Sequence, residues 1–167
     1  MTKISYSAAA AALVALAACT APPAAPPPPD AAAIKTALEK EIAKFSPLLA
    51  SKDAAGLTAL FTADATWVLP DASTHVGKDA ILAGGKAFMD SMDSFTIESN
   101  VIDKFIVVND SEAVTFSHGV GTLKLKGAKT TERHINPYAD YWKKTADGWK
   151  IAYEINADGP MPEPKKP

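Results

Sequence analysis

Cysteine is nearly absent: the 167-residue chain holds a single one, Cys19, so no disulfide can close within it. Arginine is as scarce. Of the 17 basic residues only Arg133 is an arginine, which leaves one guanidinium built for bidentate recognition of carboxylate or phosphate. Its neighbour Glu132 makes a paired charge on a strand surface the plainer reading. A basic face is missing too, since the formal net charge is −2 and the lysines are scattered, and nucleic acid is therefore not an expected partner. The 3 histidines, His75, His118 and His134, stand at separations that match no compact ligand set, so no metal is expected. Phosphate loops, nucleophile elbows and Cys/His pairs are also lacking, and the sequence calls for no cofactor.

What is present begins with an address. Lys3 precedes an apolar run from Ala8 to Ala18 that is too short to span a bilayer and suits a targeting segment. Leu16-Ala17-Ala18-Cys19 resembles a bacterial lipobox, in which cleavage precedes the cysteine and the thiol receives lipid. The expectation is a signal peptide over 1–18 and a lipidated Cys19 that is the chain's contact with the membrane. Buried acyl chains contribute about 0.8 kcal/mol per methylene, so multiple acylation anchors stably. Thr20, rather than Asp, after the cysteine implies by the same resemblance the periplasmic face of the outer membrane. Residues 19–30 are rich in proline and read as an extended tether. A globular domain over 31–158 and a disordered tail over 159–167 complete the division.

Within the domain, Ile34, Leu38, Ile42, Phe45 and Leu49 recur at helical spacing. Asp30 is placed to cap that helix, and Pro47 is expected to kink or end it near Ser46. A second helix is predicted over about 52–61 after Ser51, with Leu57, Leu60 and Phe61 inward. A short strand over 66–69 stops at Pro70. A third helix is predicted over about 78–92, with Ile81, Gly85, Phe88 and Met92 on one face. After Ser94 the period drops to two, and four long strands are predicted over 95–108, 112–126, 130–144 and 149–156. In the second of these the apolar face changes parity near Gly121, which predicts a β-bulge there. Helices followed by a meander is an α+β pattern.

The most distinctive text is Tyr138 to Asn156, two aromatic-rich strands joined at Asp147-Gly148, a strong hairpin signal. With Leu60-Phe61-Thr62-Ala63-Asp64-Ala65-Thr66-Trp67 and Val76-Gly77-Lys78-Asp79-Ala80-Ile81, this hairpin resembles the NTF2-like superfamily, in its SnoaL-like or DUF4440 branch. The resemblance covers about 32–158. It implies a cone-shaped roll in which three N-terminal helices pack on a curved antiparallel sheet around a pocket. Where steroid isomerases of this superfamily carry their general-base Asp before a proline, this chain has Leu69, which cannot take a proton.

Alternation in the third long strand puts His134, Asn136, Tyr138, Asp140 and Trp142 on one face, unless a bulge at Pro137 flips the parity. The resemblance to the association domain of calmodulin-dependent kinases points Asp140 inward and aims Glu154 or Asn156 at the pocket. The expected pocket comprises Trp67, Leu69, Phe116, His118, Tyr138, Asp140, Glu154 and Asn156. Three readings follow: a lipid-anchored domain that binds a small, partly apolar molecule without catalysis; a SnoaL-like isomerase, cyclase or hydrolyase with Asp140 or His134 as base and Tyr138 as donor; and an envelope module that binds protein. A homodimer through the sheet is a further expectation.

Overall fold

The computed structural model describes residues 28–157 and 159–160. The expected signal peptide, Cys19 and most of the expected tether lie outside them, as do Asp158 and residues 161–167. Four helices and seven strands follow in the order α1 (Ala31–Ile42), α2 (Phe45–Ala50), α3 (Ala54–Thr58), β1 (Phe61–Val68), β2 (Thr74–Val76), α4 (Gly77–Asp90), β3 (Met92–Asn109), β4 (Glu112–Leu125), β5 (Glu132–Thr145), β6 (Gly148–Asn156) and β7 (Gly159–Pro160). The fold is α+β. Its sheet runs β2-β1-β6-β5-β4-β3, with β7 pairing β5. The β1–β6 pairing is parallel, so the sheet is mixed rather than wholly antiparallel. No helix among the described residues is long and apolar enough to cross a membrane.

Local chemistry explains the helical boundaries. Asp30 caps α1, its Oδ1 accepting from the Ala33 amide at 3.0 Å. The stripe read as one helix is two, because Pro47 has no N–H for the carbonyl of Ala43 and its ring crowds that carbonyl. The chain therefore breaks at Ala43-Lys44, and Pro47 sits in the first turn of α2. Asp53, not Ser51, caps α3 by accepting from the Gly56 amide at 2.8 Å. Ser51 instead donates back to the Pro47 carbonyl at 2.8 Å and closes α2.

Bulges shape the sheet, and they lie on other strands than the sequence suggests. Pairing of β4 with β5 runs without interruption from Glu112 to Leu123, so β4 has no bulge at Gly121. The extra residues are in β3, where Asp93, Glu98, Asp103 and Val108 have no partner across the ladder to β4. They recur every five residues, each bending the strand and advancing its parity. The inward set of β3 consequently steps three, two, three, two: Met92, Phe95, Ile97, Asn100, Ile102, Phe105 and Val107. Gly121 answers this crowding from the partner strand, since a Cβ there would stand 2.1 Å from the Thr96 carbonyl oxygen. The acidic bulge residues face outward and meet basic side chains: Asp93 lies 3.7 Å from Lys124, Glu98 2.7 Å from Arg133 and Asp103 2.7 Å from the His118 ring.

The core fills one end of the space between helices and sheet. Ile34, Leu38 and Ile42 of α1, Leu57 of α3, Phe61 and Trp67 of β1, Ile81 and Met89 of α4, Trp142 of β5 and Ile151 of β6 are all buried there. Along the inward face of β5 burial falls from Trp142 and Asp140, which are closed off, to the half-buried Tyr138, Asn136 and His134. The packed core thus gives way to a cavity along a single strand.

Candidate functional site

The cavity has a volume of about 280 Å³. Its walls are apolar: Phe45 and Leu49 from α2, Leu57 from α3, Phe88 from α4, Phe95 from β3 and Leu123 from β4. Trp67 and Leu69 border it from β1 and the turn that follows. Its polar residues come mostly from the strands, with Asn100 on β3, His134, Asn136 and Tyr138 on β5, and Glu154 and Asn156 on β6.

A bulge puts the last two there. Tyr141 pairs with Tyr153 while Trp142 pairs with Ile151, so Ala152 is an extra residue in β6. Before it Trp149 and Ile151 face the core; after it Glu154 and Asn156 do. Straight alternation would have buried Tyr153 and Ile155, which instead stand 40% and 45% exposed while Glu154 is 4% exposed. A strand that exposes an aromatic and an isoleucine to bury a carboxylate breaks its own hydrophobic pattern, and such local conflicts concentrate at functional sites.

Glu154 lies directly across the ladder from Asp140. Its Oε1 accepts from the Trp67 indole N–H at 2.9 Å and from the Asn156 side-chain amide at 2.5 Å. Asp140 is 1% exposed and accepts from the Thr115 hydroxyl at 3.3 Å. Thr115 in turn takes a hydrogen bond from the Trp142 indole at 2.9 Å. The outer oxygens, Asp140 Oδ1 and Glu154 Oε2, have no donor. The two side chains interact, each shifting the other's ionisation. Burial, then the neighbouring Glu154 charge, hold the Asp140 carboxyl well above the ordinary carboxylate range. Burial likewise pushes Glu154 up to about 7, against the lowering effect of its donors Asn156 and Trp67. Glu154 therefore exchanges its proton near neutrality, and Asp140 is raised in the same direction, as closely spaced buried carboxyls are.

Tyr138 donates its hydroxyl to Asn100 Oδ1. Burial first, and then the Asp140 charge, raise its ionisation, so the phenol serves as a donor rather than a base. His134 lines the cavity with its Nε2 3.3 Å from a Glu132 carboxylate oxygen. Among the described residues no group of His, Cys, Asp and Glu is arranged to hold a metal ion.

Trp67, Leu69, Tyr138, Glu154 and Asn156, expected at the pocket, border the cavity. Asp140 does not. It lies level with Glu154 on the neighbouring strand, one pleat beyond Tyr138 toward the core, and is 1% exposed. Phe116 and His118 are on the opposite face of the sheet, because the uninterrupted register of β4 turns Thr115, Ser117 and Gly119 inward instead. Phe116 is 43% exposed there, and His118 is held by Asp103. The expected set omitted Asn100 and the helical wall of Phe45, Leu49 and Phe88. The apolar periodicity of the first and third predicted helices marked that wall; nothing in the sequence marked Asn100, whose orientation depends on the β3 bulges.

Residues 42–154 match the model of the SnoaL-like domain. No curated protein matches the chain. Among solved structures, a candidate scytalone dehydratase from Novosphingobium aromaticivorans superposes with a TM-score of 0.69 at 16% identity, covering 80% of this chain and 91% of that one. An NTF2-like protein with a cystatin-like fold from the same species gives 0.58 at 20% identity over 78% and 84%. Hexachlorocyclohexane dehydrochlorinase LinA-type3 from Novosphingobium barchaimii gives 0.67 at 11% identity over 81% and 95%. At these identities the likeness is one of fold. The family match covers most of the chain, and the protein belongs to the SnoaL-like domain family.

Proposed function

We propose that this domain binds a small, mainly apolar molecule whose polar end reaches the strands of the sheet. The cavity carries the reading: an apolar space of about 280 Å³ with a few convergent polar groups is what a small-molecule site requires. A cavity of about 150 Å³ accepts benzene, so this one suits a compact bicyclic body. Lipidation of Cys19 would hold the domain at the periplasmic face of the outer membrane, where apolar molecules partition. Two experiments test the two halves of this reading. Calorimetric titration with bicyclic compounds should give saturable binding that Phe88→Trp, which fills the cavity, removes. Fatty-acid labelling in cells should vanish in Cys19→Ser, and persistent labelling would reject the anchor.

A second reading, proton-transfer catalysis, is favoured by one observation. Glu154 borders the cavity and exchanges its proton near pH 7, as a general base should. Tyr138 would supply a hydrogen bond to developing charge, and His134 a second proton site. Similarity of fold to proteins named as a dehydratase and a dehydrochlorinase makes an elimination or isomerisation the reaction class to test. The base would be Glu154 rather than Asp140, which lies too deep to touch a substrate.

A further inference from the structure

We infer that the occupant of this cavity is a cationic amine on a compact apolar body, its ammonium held by the Glu154 carboxylate. The inference rests on the small-molecule reading above and narrows it to a ligand class. Buried oxygens without a hydrogen-bond partner stand on and beside the strand side of the cavity. Glu154 Oε2 and Asn136 Oδ1 are buried and lack partners, as do Ser117 Oγ and Asp140 Oδ1 behind them. Leaving buried acceptors unpaired is costly, and such groups ordinarily find a donor. With Asp140 protonated by its burial, an ionised Glu154 still places one negative charge on the pair.

No Lys or Arg lines the cavity among the described residues. The only guanidinium, Arg133, is on the outer face with Glu98. His134, the one cavity residue able to become cationic, sits beside the carboxylate of Glu132. Trp67 and Asn156 donate to Glu154 without neutralising it. A buried charge needs an opposite charge as well as hydrogen bonds. An ammonium brings both, since it is a cation with several N–H donors and no acceptor. An anionic ligand would set like charges together, and a neutral apolar one would leave the carboxylate unpaired. The apolar walls of Phe45, Leu49, Phe88 and Phe95 fit the rest of such a molecule.

Calorimetry at pH 8 on the full-length protein, with 2-aminoindane, 2-indanol and indane-2-carboxylate as probes, tests the inference. The amine should bind at least about tenfold more tightly than the alcohol, with the carboxylate weakest. In Glu154→Gln the amine should lose that advantage while the alcohol binds as before. Equal binding of amine and alcohol, a preference for the carboxylate, or an amine preference that survives Glu154→Gln would overturn the inference and leave the binding reading standing. No binding by any of the three would overturn both. Should Glu154→Gln fail to fold, the ranking in the unsubstituted protein decides the matter alone.

Discussion

Asp140 faces Glu154 across the β5–β6 ladder, both carboxyls inside the fold and each stabilised by an indole N–H, directly from Trp67 to Glu154 and through Thr115 from Trp142 to Asp140. A pair of buried acids is a poor source of stability. It is retained where proton exchange or ligand charge is useful, and its cost gives the account its first measurable consequence.

Stability should fall as pH rises through neutrality. Folded Glu154 keeps its proton up to about pH 7, whereas the unfolded chain releases it near the ordinary value of 4.5. The folded state therefore binds more protons across that interval, and the contribution is fully present below it and lost above it. The loss is of the order of a few kcal/mol, and Asp140 acts in the same direction. The urea midpoint should be lower at pH 8 than at pH 5, and Glu154→Gln should flatten the difference. Carboxylates whose ionisation is depressed, such as Asp64 and Asp71, titrate below this window and do not mask it.

Trp67 both fills the core and donates to Glu154. Trp67→Ala should cost about 3–5 kcal/mol in chemical denaturation. Trp67→Phe keeps most of the ring but removes the N–H that lowers the Glu154 ionisation, so the pH dependence should move to higher pH. An unchanged profile in Trp67→Phe would mean that the indole does not govern the carboxyl.

Tyr138→Phe removes the donor to Asn100 Oδ1 and should cost about 1 kcal/mol, with a larger effect on binding of alcohols than of hydrocarbons. Isothermal titration with 2-indanol and indane separates the two.

Gly121→Ala places a methyl against the Thr96 carbonyl on the neighbouring strand. The backbone must shift, and overpacking of this kind costs about 1–3 kcal/mol. A thermal midpoint equal to that of the unsubstituted protein would show that β3 relaxes freely at its bulge.

The sequence made some of this site legible and hid the rest for a physical reason. On β5 the strand is regular, so the alternation of His134, Asn136, Tyr138 and Asp140 carried over directly, and Pro137 did not disturb it. On β6 one extra residue, Ala152, reversed the parity, and only the resemblance to related folds aimed Glu154 and Asn156 inward. On β4 the regular register left Phe116 and His118 outside, although both were expected at the pocket. Parity can be counted from sequence only between bulges. Four bulges on β3 are visible in retrospect as a five-residue rhythm of Asp93, Glu98, Asp103 and Val108, an outward step that simple alternation reads as noise. Pro47 shows the same limit in a helix, since it marked the break but displaced it by one turn to Ala43-Lys44.

The most direct test is a carbon-detected NMR titration of the side-chain carboxyls in protein labelled at Asp and Glu. The account predicts one glutamate resonance, assigned through Glu154→Gln, with a midpoint near pH 7, and an Asp140 resonance that stays protonated well above the usual range. If both carboxyls titrate with the exposed acids, neither is held protonated by burial and the account of the pair is contradicted.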